Sequence, residues 1–152
     1  MAITKILYRN GGLRQAIDYI TNPAKTNEQL LTDYVRCDPG YAAQQTMDTK
    51  RALGKTAGRQ CYHIIQSFKP DEITPELAHE IARQFAAEHL PGYEAVIATH
   101  VDKAHIHSHI VFNSVNAVTG KMYHSTCENY YRQIRSVSDQ LCKAHGLILI
   151  AF

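Results

Sequence analysis

No CxxC pair occurs in this chain: Cys37, Cys61, Cys127 and Cys142 stand far apart. That argues against a zinc site or a disulfide framework and leaves free thiols in a reducing cytoplasm as the simpler reading. No apolar run approaches the roughly 20 residues that cross a bilayer, so no membrane segment is expected. The opening MAITKILYRNGG lacks the long apolar stretch and small-residue cleavage site of a signal peptide. Internal repeats, low-complexity linkers and a glycine-rich phosphate loop are also missing, and the last of these removes the usual mark of an ATP site. Charge is nearly balanced, with 16 Lys+Arg against 14 Asp+Glu. A net +2 neither demands nor excludes a nucleic-acid partner, because placement of charge matters more than its sum.

What is present suits one domain with a real core: 152 residues, 45% of them apolar and 20% charged. Residues 3–9 (ITKILYR) read as a strand ended by Asn10-Gly11-Gly12, and residues 13–20 as a short helix stopped by Thr21-Asn22-Pro23. A short strand is expected over 33–37 and a helix over 41–53. Residues 60–68 (QCYHIIQSF) are rich in strand formers, with Cys61, His63, Ile65 and Ser67 on one face. The clearest helix follows, with Thr74 as N-cap, Pro75 in the first turn and Leu77, Ile81 and Phe85 at helical spacing. Strands are expected over 94–100 and 105–115 as an antiparallel hairpin, then a long helix over 127–145 and a last strand over 147–152. Mixed strands and helices without regular alternation predict an α+β sandwich, a central antiparallel sheet of about five strands with helices packed on it. The terminal run LILIAF suggests that the chain is the N-terminal part of a longer protein.

Histidine is the abundant residue. Nine occur, and His100, His105, His107 and His109 fall within ten positions. Side chains alternate along a strand, so His105, His107 and His109 share one face while Ile106, Ile110 and Phe112 take the other. Three unpartnered imidazoles in a row are costly to bury, but they are common metal ligands, and His100 across the short connection can complete a set. An all-imidazole site suits a divalent transition metal better than magnesium or calcium, which prefer oxygen. Asp102 can orient a histidine or simply form the turn.

The stretch His100-Val-Asp102-Lys-Ala-His105-Ile-His107-Ser-His109-Ile-Val-Phe-Asn113 resembles the third motif of relaxases, the HUH endonucleases of plasmid and transposon mobilisation, most closely the MobA/VirD type. Residues 60–68 resemble the second motif, and residues 15–26 (QAIDYITNPAKT) the tyrosine motif. The resemblance implies metal-binding roles for His100, His107 and His109, in a register set by Asn113. His105-Ile106-His107 is itself a histidine–apolar–histidine triplet, and hairpin geometry places His105 nearest His100, so that pairing stays open. The same resemblance implies a divalent ion, manganese or magnesium, with other transition metals open. It also implies Tyr19 as the nucleophile that attacks a phosphate of single-stranded DNA at an origin of transfer and becomes linked to the 5′ end. A bacterial cytoplasm and accessory relaxosome proteins are the implied setting.

A phenol is a weak nucleophile at neutral pH, and a cation beside the scissile phosphate offsets the charge of the transition state. Of the nine tyrosines, Tyr130 and Tyr131 form a pair on the last helix and read as packing or DNA-stacking residues. Arg9, Arg14, Lys25 and the cluster Lys50, Arg51, Lys55 and Arg59 are candidates for the DNA backbone. His63 and Asn113 are secondary candidates, His63 either facing the site or filling the core. Three other readings compete: a replication initiator of the same superfamily, a metal-dependent phosphoesterase without a covalent intermediate, and a nonenzymatic DNA-binding module. In replication initiators the tyrosine commonly comes after the histidines; here Tyr19 precedes them.

Overall fold

In the computed structural model, which describes residues 2–26 and 30–146, five strands pair in the order β1-β3-β5-β4-β2. The strands are β1 (Ala2–Arg9), β2 (Thr32–Val35), β3 (Cys61–Phe68), β4 (Ala95–His100) and β5 (Ile106–Asn113), and every pairing is antiparallel. The expected α+β sandwich is therefore the one observed.

Alternation along the central strand β5 builds both sides. Ile106, Ile110 and Phe112 point into the larger core with helices α3 (Pro75–His89) and α5 (Ser136–Ala144). Within α3, Ala78, Ile81, Ala82 and Phe85 are fully buried, the stripe that helical spacing demands, and Thr74 caps the helix by accepting the Leu77 amide at 3.2 Å. Behind the histidine-bearing strands, His79 of α3 links Asp33 on β2 to Thr99 on β4, and Thr99 meets Ser108 of β5 at 3.0 Å. This polar chain, buried except at Asp33, ties four elements together from the rear.

The front face is covered by α1 (Leu13–Ile20) and α2 (Ala42–Ala52), which pack Leu13, Ala16, Ile17, Ile20 and Ala42 on Val96, Ala98 and Val111. Cover stops short of β1, where Ile3 and Leu7 are 48% and 51% exposed. This face is thus open along β1, next to the strand that bears His63.

Two elements depart from the sequence-based reading. The strand expected over 105–115 begins at Ile106 and ends at Asn113, which leaves His105 in the preceding bend. The helix expected over 127–145 is continuous but changes pitch: α4 (Cys127–Asn129) leads into a π-helical run, Tyr130–Arg135, before α5. Tyr130 donates its hydroxyl to the Thr4 carbonyl at 2.6 Å, so it docks on the rear of β1, while Tyr131 is exposed. The strand expected over 147–152 lies outside the described residues.

Candidate active site

His100 ends β4 and His107 lies directly opposite it on β5. His109 comes two residues later on the same face, beside Ala98, whose small side chain leaves room for the ring to lean toward His100. The His100 and His109 ring centroids are 4.0 Å apart and those of His107 and His109 6.2 Å. His105 is exposed, with its ring 6.5 Å from that of His107. The structure therefore gathers His100, His107 and His109 and leaves His105 at the rim.

Two of these rings have a partner that sets their orientation. His100 Nε2 lies 2.9 Å from the Ile20 carbonyl. A carbonyl only accepts, so this nitrogen carries the proton and Nδ1 keeps its lone pair. His109 Nδ1 lies 2.8 Å from Nε2 of His63, and its own Nε2 is buried with no partner. His63 thus faces the site rather than filling the core.

Burial pulls His109 down to about 2 and His63 to about 4, and it lowers His100 and His107 as well. All four rings are neutral at pH 7, the form that offers a lone pair to a metal. Among the described residues no three His, Cys, Asp or Glu donors converge on one point as they stand, so an ion would require the rings to turn about their side-chain torsions. The unpartnered Nε2 of His109 and the all-nitrogen donor set fit a divalent transition metal.

Tyr19 closes the front of this cluster. The apolar stripe of α1, Leu13, Ala16, Ile17 and Ile20, is pressed on the sheet, which leaves Tyr19 on the outer edge of the last turn, 51% exposed. Its ring stands edge-on to His100 at 5.6 Å and to His109 at 6.2 Å. Three links pin the end of α1 and the turn after it to the end of β4: the His100–Ile20 bond, Val101 N to the Lys25 carbonyl at 2.7 Å, and Lys25 Nζ to Asp102 at 3.0 Å. Lys25 also stands 5.4 Å from the Tyr19 ring centre. Asp102, read as a possible orienter of a histidine, instead takes Lys25 as its hydrogen-bond partner. Sequence reasoning missed the Ile20 carbonyl, because a backbone group leaves no residue-type signal.

Three of the basic and polar candidates take other places. Lys50 is fully buried and cannot meet a DNA backbone: its ammonium is held by Asn113 Oδ1 and, at 2.7 Å, by Ser114 Oγ. Burial pushes it down to about 8. Asn113 also donates to the buried Glu94 carboxylate at 3.0 Å. It shares a strand face with His109 but lies four residues along, about 13 Å away at strand rise, so it anchors α2 rather than joining the histidines. Arg59 stacks its guanidinium 3.8 Å from the Tyr8 ring centre and reaches the Tyr62 hydroxyl. Arg51, Lys55, Arg9 and Arg14 are exposed, Arg14 on the same helix as Tyr19. Replacing Lys50 with Met strands acceptors on Asn113 and Ser114 and leaves Glu94 without its nearby cation. Urea denaturation should show a loss on the order of 3 kcal/mol.

The chain is similar to known proteins. The protein called rlx in Staphylococcus aureus is 36% identical over 97% of this chain and 44% of its own length. The group II intron-interrupted relaxase LtrB of Lactococcus lactis subsp. cremoris is 38% identical, over 73% of this chain and 24% of its own length. The chain thus spans under half the length of these relatives. Two solved structures share the fold. One, from work on the molecular basis of vancomycin resistance transfer in Staphylococcus aureus, has a TM-score of 0.65 at 12% identity and covers 98% of this chain and 96% of its own. The other is the MobM relaxase domain bound to plasmid pMV158 oriT DNA and manganese, with a TM-score of 0.61 at 14% identity, covering 99% and 90%. The family profile described as relaxase, MobA/VirD2-like, nuclease domain matches residues 19–147, so the match opens on Tyr19 and carries every histidine of the cluster. The chain belongs to the MobA/VirD2-like relaxase family, of which it carries the nuclease domain.

Proposed function

We propose that this chain nicks and rejoins single-stranded DNA at an origin of transfer, through a covalent 5′-phosphotyrosine on Tyr19. The observation that carries the reading is the juxtaposition of an exposed phenol with three neutral imidazoles on a rigid sheet. Tyr19 Oη would attack the scissile phosphorus in line. The Oη–phosphorus bond forms, the bond to the 3′ oxygen breaks, the phenol loses its proton and the departing 3′ oxygen gains one. His100, His107 and His109 would hold a divalent ion, manganese as in the MobM structure, and such an ion would offset the charge that develops at the scissile phosphate. Lys25, held beside the Tyr19 ring by Asp102, adds fixed positive charge on the approach to the phosphate.

Local unpairing of the strand is required, and the open face of β1 gives it a path. Ile3 and Leu7 offer apolar contact there, and Lys5 and Arg9 on the same strand face offer charge. Asp102 is engaged with Lys25, which removes the nearby carboxylate that a hydrolytic site using water would want. Whole-protein transfer with accessory relaxosome proteins in a bacterial cytoplasm belongs to this reading.

The test is incubation with end-labelled single-stranded origin DNA and manganese, followed by denaturing electrophoresis. A protein–DNA adduct that requires the ion is expected. Cleavage without any adduct, leaving a free 5′ phosphate, would replace this reading with a simple phosphoesterase.

A further inference from the structure

We propose that His63 is a positioning residue for the metal centre: it accepts the Nδ1 proton of His109 and so presents the Nε2 lone pair of His109 to the ion. This rests on the metal-site reading above. Strand alternation on β3 and β5 puts both rings on the front face, where His63 pairs with Val111 and His109 with Ile65. The rings are therefore diagonal neighbours, with centroids 5.0 Å apart and the contacting nitrogens at 2.8 Å. Each residue is only 4% exposed, so water cannot stand in for either partner.

One proton lies between the two nitrogens, and it has two possible owners. If His63 Nε2 carries it, neutral His109 must be protonated on its own Nε2. That places an N–H in a buried position where no acceptor meets it, and it blocks the nitrogen from a metal. If His109 Nδ1 carries it, the Nε2 lone pair is bare and available to a cation. The second arrangement is the one in which the unpartnered atom has a purpose. A carboxylate usually performs this service for a ligating histidine. Here Asp102, the carboxylate that acts on His100 and His107, is taken by Lys25, and the ring of His63 occupies that role for His109. His100 is served separately by the Ile20 carbonyl, so the two buried imidazoles of the proposed ligand set have partners on different elements, β3 and α1.

The test uses the whole chain with His63→Leu and His63→Gln, titrated with manganese by calorimetry, beside nitrogen-detected NMR of the histidine rings in the metal-free wild type. The NMR should show His109 protonated at Nδ1. His63→Leu should weaken manganese binding by roughly 10–100-fold, and His63→Gln, whose amide oxygen can accept the same proton, should recover most of it. Melting curves of both variants report whether they fold. Should His63→Leu fail to fold, the glutamine variant and the wild-type tautomer decide. An Nε2 proton on His109, or a folded His63→Leu that binds manganese like wild type, overturns the proposal. Wild type that binds no manganese but shows His109 protonated at Nδ1 would sink the metal reading while leaving the His63–His109 proton assignment standing.

Discussion

Tyr19→Phe is expected to abolish the covalent adduct, lowering nicking by at least about four orders of magnitude, while uncut single-stranded DNA binds nearly as before. The substitution removes one oxygen from a half-exposed ring and leaves the ring's edge contacts with His100 and His109 in place. The contacts that seat Tyr19 are made by its ring, so the loss should fall on chemistry rather than on stability. Gel-shift titration and denaturing electrophoresis on one preparation separate the two. Persistence of the adduct would move the nucleophile elsewhere. Tyr130 is a poor substitute, since its hydroxyl is bound to Thr4 on the rear of the sheet.

The second large effect is expected on the strand that carries the proposed ligands. His109→Ala and His107→Ala should each lower manganese affinity by more than about 100-fold, beyond what loss of a supporting residue costs, and should end cleavage. His105→Ala should leave manganese binding close to wild type, because His105 sits in the bend before β5 with its ring beside that of His107. Calorimetry of the three variants decides the register. Normal metal binding by His109→Ala together with loss in His105→Ala would shift the ligand pair by two residues. Of the two loss variants, His109→Ala should also lower the melting temperature, since it empties a buried site packed against His63 and His100.

Much of this was legible in the residue pattern. Helix α1 was readable to its boundaries from Leu13, Ala16, Ile17 and Ile20 and the break at Asn22-Pro23, and the parity of β5 separated the histidines from Ile106, Ile110 and Phe112. What escaped were contacts between segments distant in sequence. Lys50 looked like one cation in a basic cluster, yet it continues the buried spacing of Ala42 and Thr46 along α2, and that phase was the available signal. Its acceptors lie 63 and 64 residues away, where composition gives no hint of them. Asp102 was misplaced for the same reason: its partner Lys25 is 77 residues distant and reaches it only because the turn after α1 lies along the end of β4. Asn113 set the register of the motif while serving α2, since parity reports the face of a strand but not the distance along it.

The pinning of α1 to the end of β4 bears on the fate of the DNA after cleavage. Exchanging a phosphodiester for a phosphotyrosine is close to an even trade of one ester for another, so the strand break stores its own energy for resealing. That store is useful only if the linkage stays where it was made. Because the Ile20 carbonyl, Val101 and the Lys25–Asp102 pair hold the last turn of α1 to the segment bearing His100, a tyrosine carrying the DNA would stay beside the imidazoles. A captured strand end kept in register with the imidazoles would remain open to a returning 3′ hydroxyl. The same short bonds that place the nucleophile would thus make the nick reversible.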